Sequence, residues 1–170
     1  MNVVLLAPEI PDNTGNIGRT CMATGSRLHL IDPLGFSLSD RALKRAGMDY
    51  WKEVAYERYV DFEDFLSKRF QDVSENGKPV LWMLTTKAER SYAEVSYGKS
   101  DYLMFGSEGR GIPEELLVEN REHCIRIPMA EGARSLNLAN SVAIVLYEAL
   151  RQNGFPDLER KGSLHHSNWH

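Results

Sequence analysis

Short apolar runs alternate along this chain with stretches of helical spacing. Residues 2–7, 28–32, 80–84 and 102–105 are near-continuous apolar runs, while 54–59 is a weaker strand and 124–127 a further one. Unbroken runs of this length fit strands covered on both faces. Between them the period changes. Residues 14–26 predict a helix closed near Gly25, and in 61–70 the side chains of Phe62, Phe65, Leu66 and Phe70 share one face. Pro113 opens a short helix over 113–119. The clearest helix spans 138–153, where Leu138, Val142, Val145, Leu146, Ala149 and Leu150 form one stripe that Gly154 and Pro156 end. A short basic helix through Ala46, capped by Ser39 or Asp40 and followed by Gly47, and a turn over 74–78 complete the pattern. Such alternation predicts an α/β fold: a mostly parallel sheet flanked by helices on both faces. Residues 1–156 form one expected domain, and the polar tail 157–170 has no periodicity and is expected to fray.

At 170 residues and 42% hydrophobic, the chain can bury the core of one soluble domain. No apolar stretch is long enough for a bilayer, and no basic n-region opens the chain. Neither a membrane nor a signal peptide is expected, and the compartment expected is the cytoplasm. Cys21 and Cys124 are far apart and the histidines are scattered, so no metal site is signalled. The net charge of −4 argues against coating nucleic acid by bulk positive charge. It leaves room for local basic patches. Arg41, Lys44 and Arg45 cluster in one segment, and Arg110, Arg126 and Arg134 lie near glycine-rich loops.

Three loops carry the candidate chemistry, each after a predicted strand. Phe105-Gly106-Ser107-Glu108-Gly109-Arg110-Gly111-Ile112-Pro113 is the richest in glycine. Glycine lets backbone approach a ligand closely, and strand C-terminal ends are where open α/β sheets bind ligands. The loop lacks the Gly-Lys-Ser/Thr of a nucleotide phosphate cradle. The first loop holds Asn13-x-Gly15-x-x-Gly18, a dinucleotide fingerprint short of its first glycine, with Asp32 placed where a ribose-binding carboxylate would stand. One reading is a Rossmann oxidoreductase that binds NAD(P) or flavin. The other is that Gly15 and Gly18 only let the first helix pack close to the sheet. The third loop runs from Ile125 to Asn137, with Arg134 ahead of two candidate helix caps, Ser135 and Asn137. Three such loops point to one composite site.

Together these segments resemble the SPOUT superfamily, SpoU class, of RNA 2′-O-methyltransferases. Asn13-x-Gly15-x-x-x-Arg19 looks like its first motif and Phe105-Gly106-x-Glu108-x-x-Gly111-Ile112-Pro113 like its second. Ile127-Pro128-Met129, followed by Ser135-Leu136-Asn137-x-x-x-Ser141-Val142-Ala143, looks like its third. The likeness covers roughly residues 2–156 and is similar to the minimal type, a catalytic domain with no added RNA-binding domain. The resemblance implies a deep C-terminal trefoil knot, bound S-adenosylmethionine (SAM) and a homodimer whose active site uses both subunits. It further implies methylation of the ribose 2′-OH of the wobble pyrimidine, cytidine or modified uridine, in leucine tRNAs.

By the same resemblance Leu84, Gly106, Ile127, Met129, Ser135 and Leu136 bind the cofactor. For Leu84, Ile127 and Leu136, plain core packing stays an alternative. Arg19 is the expected catalytic residue beside the reacting hydroxyl. A guanidinium keeps its proton, so Arg19 acts either as a strongly perturbed base or as a bidentate grip on a phosphate that orients the hydroxyl. Glu108 pairs with an arginine, Arg19 being a candidate, or orders its loop, and Asn13 and Asn137 fix loop geometry. Arg41, Lys44, Arg45 and Arg151 are expected to meet the anticodon arm, and the first and last helices to form the dimer contact. A catalytically silent RNA-binding knot protein is the remaining alternative.

Overall fold

In this computed structural model, residues 1–39, 49–70 and 77–167 are described. Six parallel strands form one sheet: β1 (Asn2–Leu6), β2 (Arg27–Ile31), β3 (Tyr56–Tyr59), β4 (Leu81–Leu84), β5 (Tyr102–Phe105) and β6 (Cys124–Ile125), in the order β3-β2-β1-β5-β4-β6. Both faces are covered, which is why β1, β2, β4 and β5 read as near-continuous apolar runs. Val3, Leu5, Leu28, Leu30, Leu103 and Phe105 face one core, and Val4, Ile31, Met83 and Met104 the other.

The first core lies under α1 (Pro11–Thr24) and α4 (Leu138–Gln152), which contribute Ile17, Cys21, Val142, Val145, Leu146 and Ala149. The second lies under α2 (Phe62–Phe70) and α3 (Glu114–Glu119), through Phe65 and Leu117. Gly25, left-handed at φ 62°, ends α1 as its sequence predicts.

Three boundaries differ from the sequence reading. Helix α1 begins at Pro11, not Thr14, because proline at the first helical position is already set to helical φ. The weak strand 54–59 shortens to β3, since Trp51 and Val54 instead pack on α1 around a 3₁₀ turn, Asp49–Glu53. The strand 124–127 ends at Ile125, and Arg126 continues it only as a bridge to Ser91. The basic helix through Ala46 lies outside the described residues, as does most of the turn over 74–78. No helix among the described residues is long and apolar enough to cross a membrane.

Candidate active site

The C-terminal ends of β4 and β5 and the segments following β5 and β6 surround a cavity of about 500 Å³. Leu84, Phe105, Ile112, Ile127 and Leu138 supply apolar walls, and Gly106, Met129, Ser135 and Leu136 join them. All six residues expected at the cofactor pocket therefore line one cavity. Leu84 and Ile127 also touch the first core, so packing and lining are both theirs. Leu136 is 40% exposed, which rules out a core-packing role for it.

A chain of side-chain hydrogen bonds ties the three motif loops together. Glu108 can only accept while ionised. Its carboxylate takes N–H groups from the backbone of Glu9 (2.8 Å) and Ile10 (3.3 Å) and from Asn13 Nδ2 (3.0 Å). Asn13 must therefore turn its oxygen the other way, where Asn137 Nδ2 donates to it at 2.9 Å. Asn137 Oδ1 in turn accepts from the N–H groups of Ala139 and Asn140 and caps α4. Glu9 returns the favour to the second loop, its carboxylate accepting from Gly109 N–H at 3.0 Å.

The structure decides between several readings that the sequence leaves open. Glu108 orders the loops and pairs with no arginine among the described residues; Arg19 instead lies 4.4 Å over the ring of Tyr50. Ser135 does not cap the last helix; Asn137 does. Gly15 and Gly18 stand inside α1, not in a phosphate loop. A Cβ on Gly18 would meet Trp51 Cζ3 at 2.9 Å, so that glycine serves contact with the 3₁₀ segment, not with the sheet. Asp32 is held by Arg58, whose Nη2 lies 2.9 Å from its carboxylate. These placements remove the geometric basis for a dinucleotide site.

Gly106 lines the cavity, yet its missing side chain serves the loop. A Cβ there would lie 2.0 Å from the carbonyl carbon of Gly111 and 2.2 Å from Ile112 N. The turn beyond closes with Gly111 N–H donating to Ser107 O, and Gly111 itself has φ 73°.

Arg19 is exposed on α1 and borders a second, shallower groove of about 350 Å³ with Ala143 and Tyr147 of α4. Asn137 borders both spaces, which links the candidate catalytic arginine to the cavity. Arg151 sits in the last turn of α4 and is ion-paired to Glu148, while Arg41, Lys44 and Arg45 lie outside the described residues. Lys87 and Ile10 also line the cavity; both stand in segments that share the family likeness, Pro8-Glu9-Ile10-Pro11 and Leu84-Thr85-Thr86-Lys87, where the sequence gives neither a role. Lys87 directly follows the strand-end segment and pairs with Glu114 of α3. Among the described residues no group of three His, Cys, Asp or Glu side chains could hold a metal ion.

Parallel strands with an apolar, loop-rimmed cavity at their C-terminal ends define an α/β ligand-binding domain. The profile of the SpoU rRNA Methylase family matches residues 1–147, so the chain belongs to that family of RNA methyltransferases. It is 48% identical over 157 residues to the tRNA (cytidine(34)-2'-O)-methyltransferase of Escherichia coli (strain K12), covering 92% of this chain and 96% of that one. It is similar to a solved structure described as "Structural insights into the 2-OH methylation of C/U34 on tRNA", with TM-score 0.78, 44% identity, and 90% and 95% of the two chains covered. An AdoMet-bound rRNA methyltransferase from Sinorhizobium meliloti matches at TM-score 0.71 and 30% identity, covering 88% of this chain and 55% of that one.

Proposed function

We propose that this chain transfers the methyl group of SAM to the 2′-OH of the wobble nucleotide, position 34, of leucine tRNAs, with cytidine or modified uridine as the base. The observation that carries this reading is the hydrogen-bonded chain Glu108–Asn13–Asn137, which ties three family motifs around one cavity. The likeness to full-length relatives named for that reaction supports the choice of nucleotide.

The cavity fits the cofactor in kind. Leu84, Ile127, Met129 and Leu136 offer apolar surface for an adenine, and Ser135 and the backbone of the three loops offer polar partners. When bound, SAM supplies a methyl already activated on a sulfonium. The work left to the chain is to bring the ribose hydroxyl to it in line. Arg19 is the residue we assign to that task. Its guanidinium keeps its charge, so gripping a phosphate and orienting the hydroxyl is the role its chemistry favours over that of a base.

The same reading makes the protein a homodimer joined through α1 and α4. Ile144 is 37% and Tyr147 46% exposed on the last helix, and Tyr147 borders the groove that holds Arg19. A partner seated there would bring a second chain to the catalytic arginine. The trefoil knot belongs to this reading as well. Its support is the path of the chain, from β6 at the sheet edge back across the sheet to α4 against α1. Residues 1–156 then act as one catalytic domain in the cytoplasm, and 157–170 as a tail.

The deciding experiment supplies total tRNA and methyl-labelled SAM, followed by nuclease mapping of the labelled nucleotide. Label in the ribose of the wobble nucleotide of leucine tRNAs is the expected result. Label elsewhere, or affinity for NAD(H) with none for SAM by calorimetry, overturns the reading.

A further inference from the structure

Among the described residues three charged side chains line the cavity, and two of them are already engaged. Glu108 accepts three N–H groups, and Lys87 is ion-paired to Glu114. The third is Arg110. Its guanidinium makes no hydrogen bond, ion pair or ring contact with any described residue. Its backbone, by contrast, is fixed: Arg110 N–H donates to Ser107 Oγ at 3.2 Å, and the neighbouring Gly109 N–H is held by Glu9. A closed turn therefore presents one exposed, uncompensated cation at the rim of the cavity.

We propose that Arg110 grips a backbone phosphate of the RNA beside the ribose to be methylated, an assignment that rests on the function proposed above. Two anionic groups could reach this rim. The amino-acid end of SAM carries an ammonium with its carboxylate, so it presents no net charge for a lone cation to neutralise. A phosphodiester has no such internal partner, and the guanidinium fork matches its two free oxygens. The charge pattern of the chain points the same way. Arg27, Arg58, Arg69, Arg121 and Arg151 all sit in ion pairs with carboxylates. On a chain of net charge −4, RNA affinity has to come from cations left unpaired, and Arg110 is one that borders the cavity itself.

The test compares the full-length chain with Arg110→Ala and Arg110→Lys. The KM for tRNA is expected to rise about tenfold in Arg110→Ala with kcat little changed, and the slope of log affinity against log salt to fall by about 1. Arg110→Lys restores part of the affinity, because the charge returns without the fork. SAM affinity, measured by calorimetry without RNA, stays within about twofold, as expected for a contact to RNA alone. Weakened SAM binding with unchanged tRNA affinity assigns Arg110 to the cofactor carboxylate and overturns the proposal. Unchanged tRNA binding and salt slope in both variants overturn it too, while leaving the wild-type methylation reading intact. A wild-type chain that methylates no tRNA overturns the proposed function, and this assignment with it.

Discussion

Asn137 donates its side-chain amide to the side-chain oxygen of Asn13 at 2.9 Å, across 124 positions of sequence. The direction of that bond is set at both ends. Glu108 accepts only, and so fixes the amide of Asn13; the cap of α4 occupies the oxygen of Asn137. Turning over would break two bonds at Asn13 and three at Asn137. Loops from three parts of the chain are thus locked into one arrangement before any ligand arrives.

The lock predicts non-additive mutations. Asn13→Ala and Asn137→Ala should each cost about 1–3 kcal/mol, since each leaves partners unsatisfied and the second also removes a helix cap. The double variant should cost less than the sum by about 0.5–3 kcal/mol, the range for residues within one network. Urea denaturation of all four proteins measures the cycle. Additive costs would show that the two side chains act independently.

Arg19 lines the groove beside the cavity and not the cavity itself, so the part proposed for it in methyl transfer is separable from SAM binding. Arg19→Ala should lower methyl transfer by about 100-fold or more, as the loss of a positioning group does, with SAM affinity nearly unchanged. Single-turnover transfer and calorimetry measure the two quantities. Near-normal turnover in the variant would remove Arg19 from the chemistry.

The parts legible in the sequence are those with a local physical cause. Strands covered on both faces need continuous apolar runs, and β1, β2, β4 and β5 were visible for that reason. The cavity residues lay in motifs at strand ends, so their grouping was legible as well. Contacts between distant segments were not. Glu9 grips Gly109 from 100 positions away, and although Pro8-Glu9-Ile10-Pro11 shares the family likeness, nothing local tells which loop its carboxylate reaches. Gly18 left two readings open because close packing on Trp51 and a phosphate turn both require the same residue. His29 stayed unnoticed because one polar residue inside an apolar run reads as a break in the pattern, and its partners come from other segments.

His29 is wholly buried within β2, and burial, with Arg69 and Arg27 nearby, lowers its pKa from 6.5 to about 3. Asn2 turns its amide to the carbonyls of Ser100 and Asp101, so its oxygen is left to accept from His29 Nε2 at 3.3 Å. His29 Nδ1 then accepts from the Tyr59 hydroxyl at 2.8 Å. The ring is neutral in the folded chain and takes a proton more readily when unfolded. Its contribution to stability is therefore present above pH 6.5 and is lost as pH falls from 6.5 towards 3. Urea denaturation across that window should show the loss in the wild type and a shallower decline in His29→Phe. Equal slopes would mean that His29 titrates normally.

Gly106 gives the sharpest steric prediction. The Cβ of Gly106→Ala would fall 2.0 Å from Gly111 C and 2.2 Å from Ile112 N, both backbone atoms that cannot rotate aside. The turn carrying Glu108 and Arg110 would have to move by more than an ångström, pulling Glu108 from its three donors. The expected cost is about 3 kcal/mol or more, typical of overpacking combined with a broken polar network, with a parallel loss of SAM affinity. Gly132→Ala is the matched control, because that glycine has φ 79° but nothing within 4 Å of the added carbon. It should cost about 1 kcal/mol, from backbone strain alone. Thermal unfolding and SAM calorimetry on both variants measure the difference. Equal, small effects would show that the second motif loop yields freely and that Gly106 has no steric role.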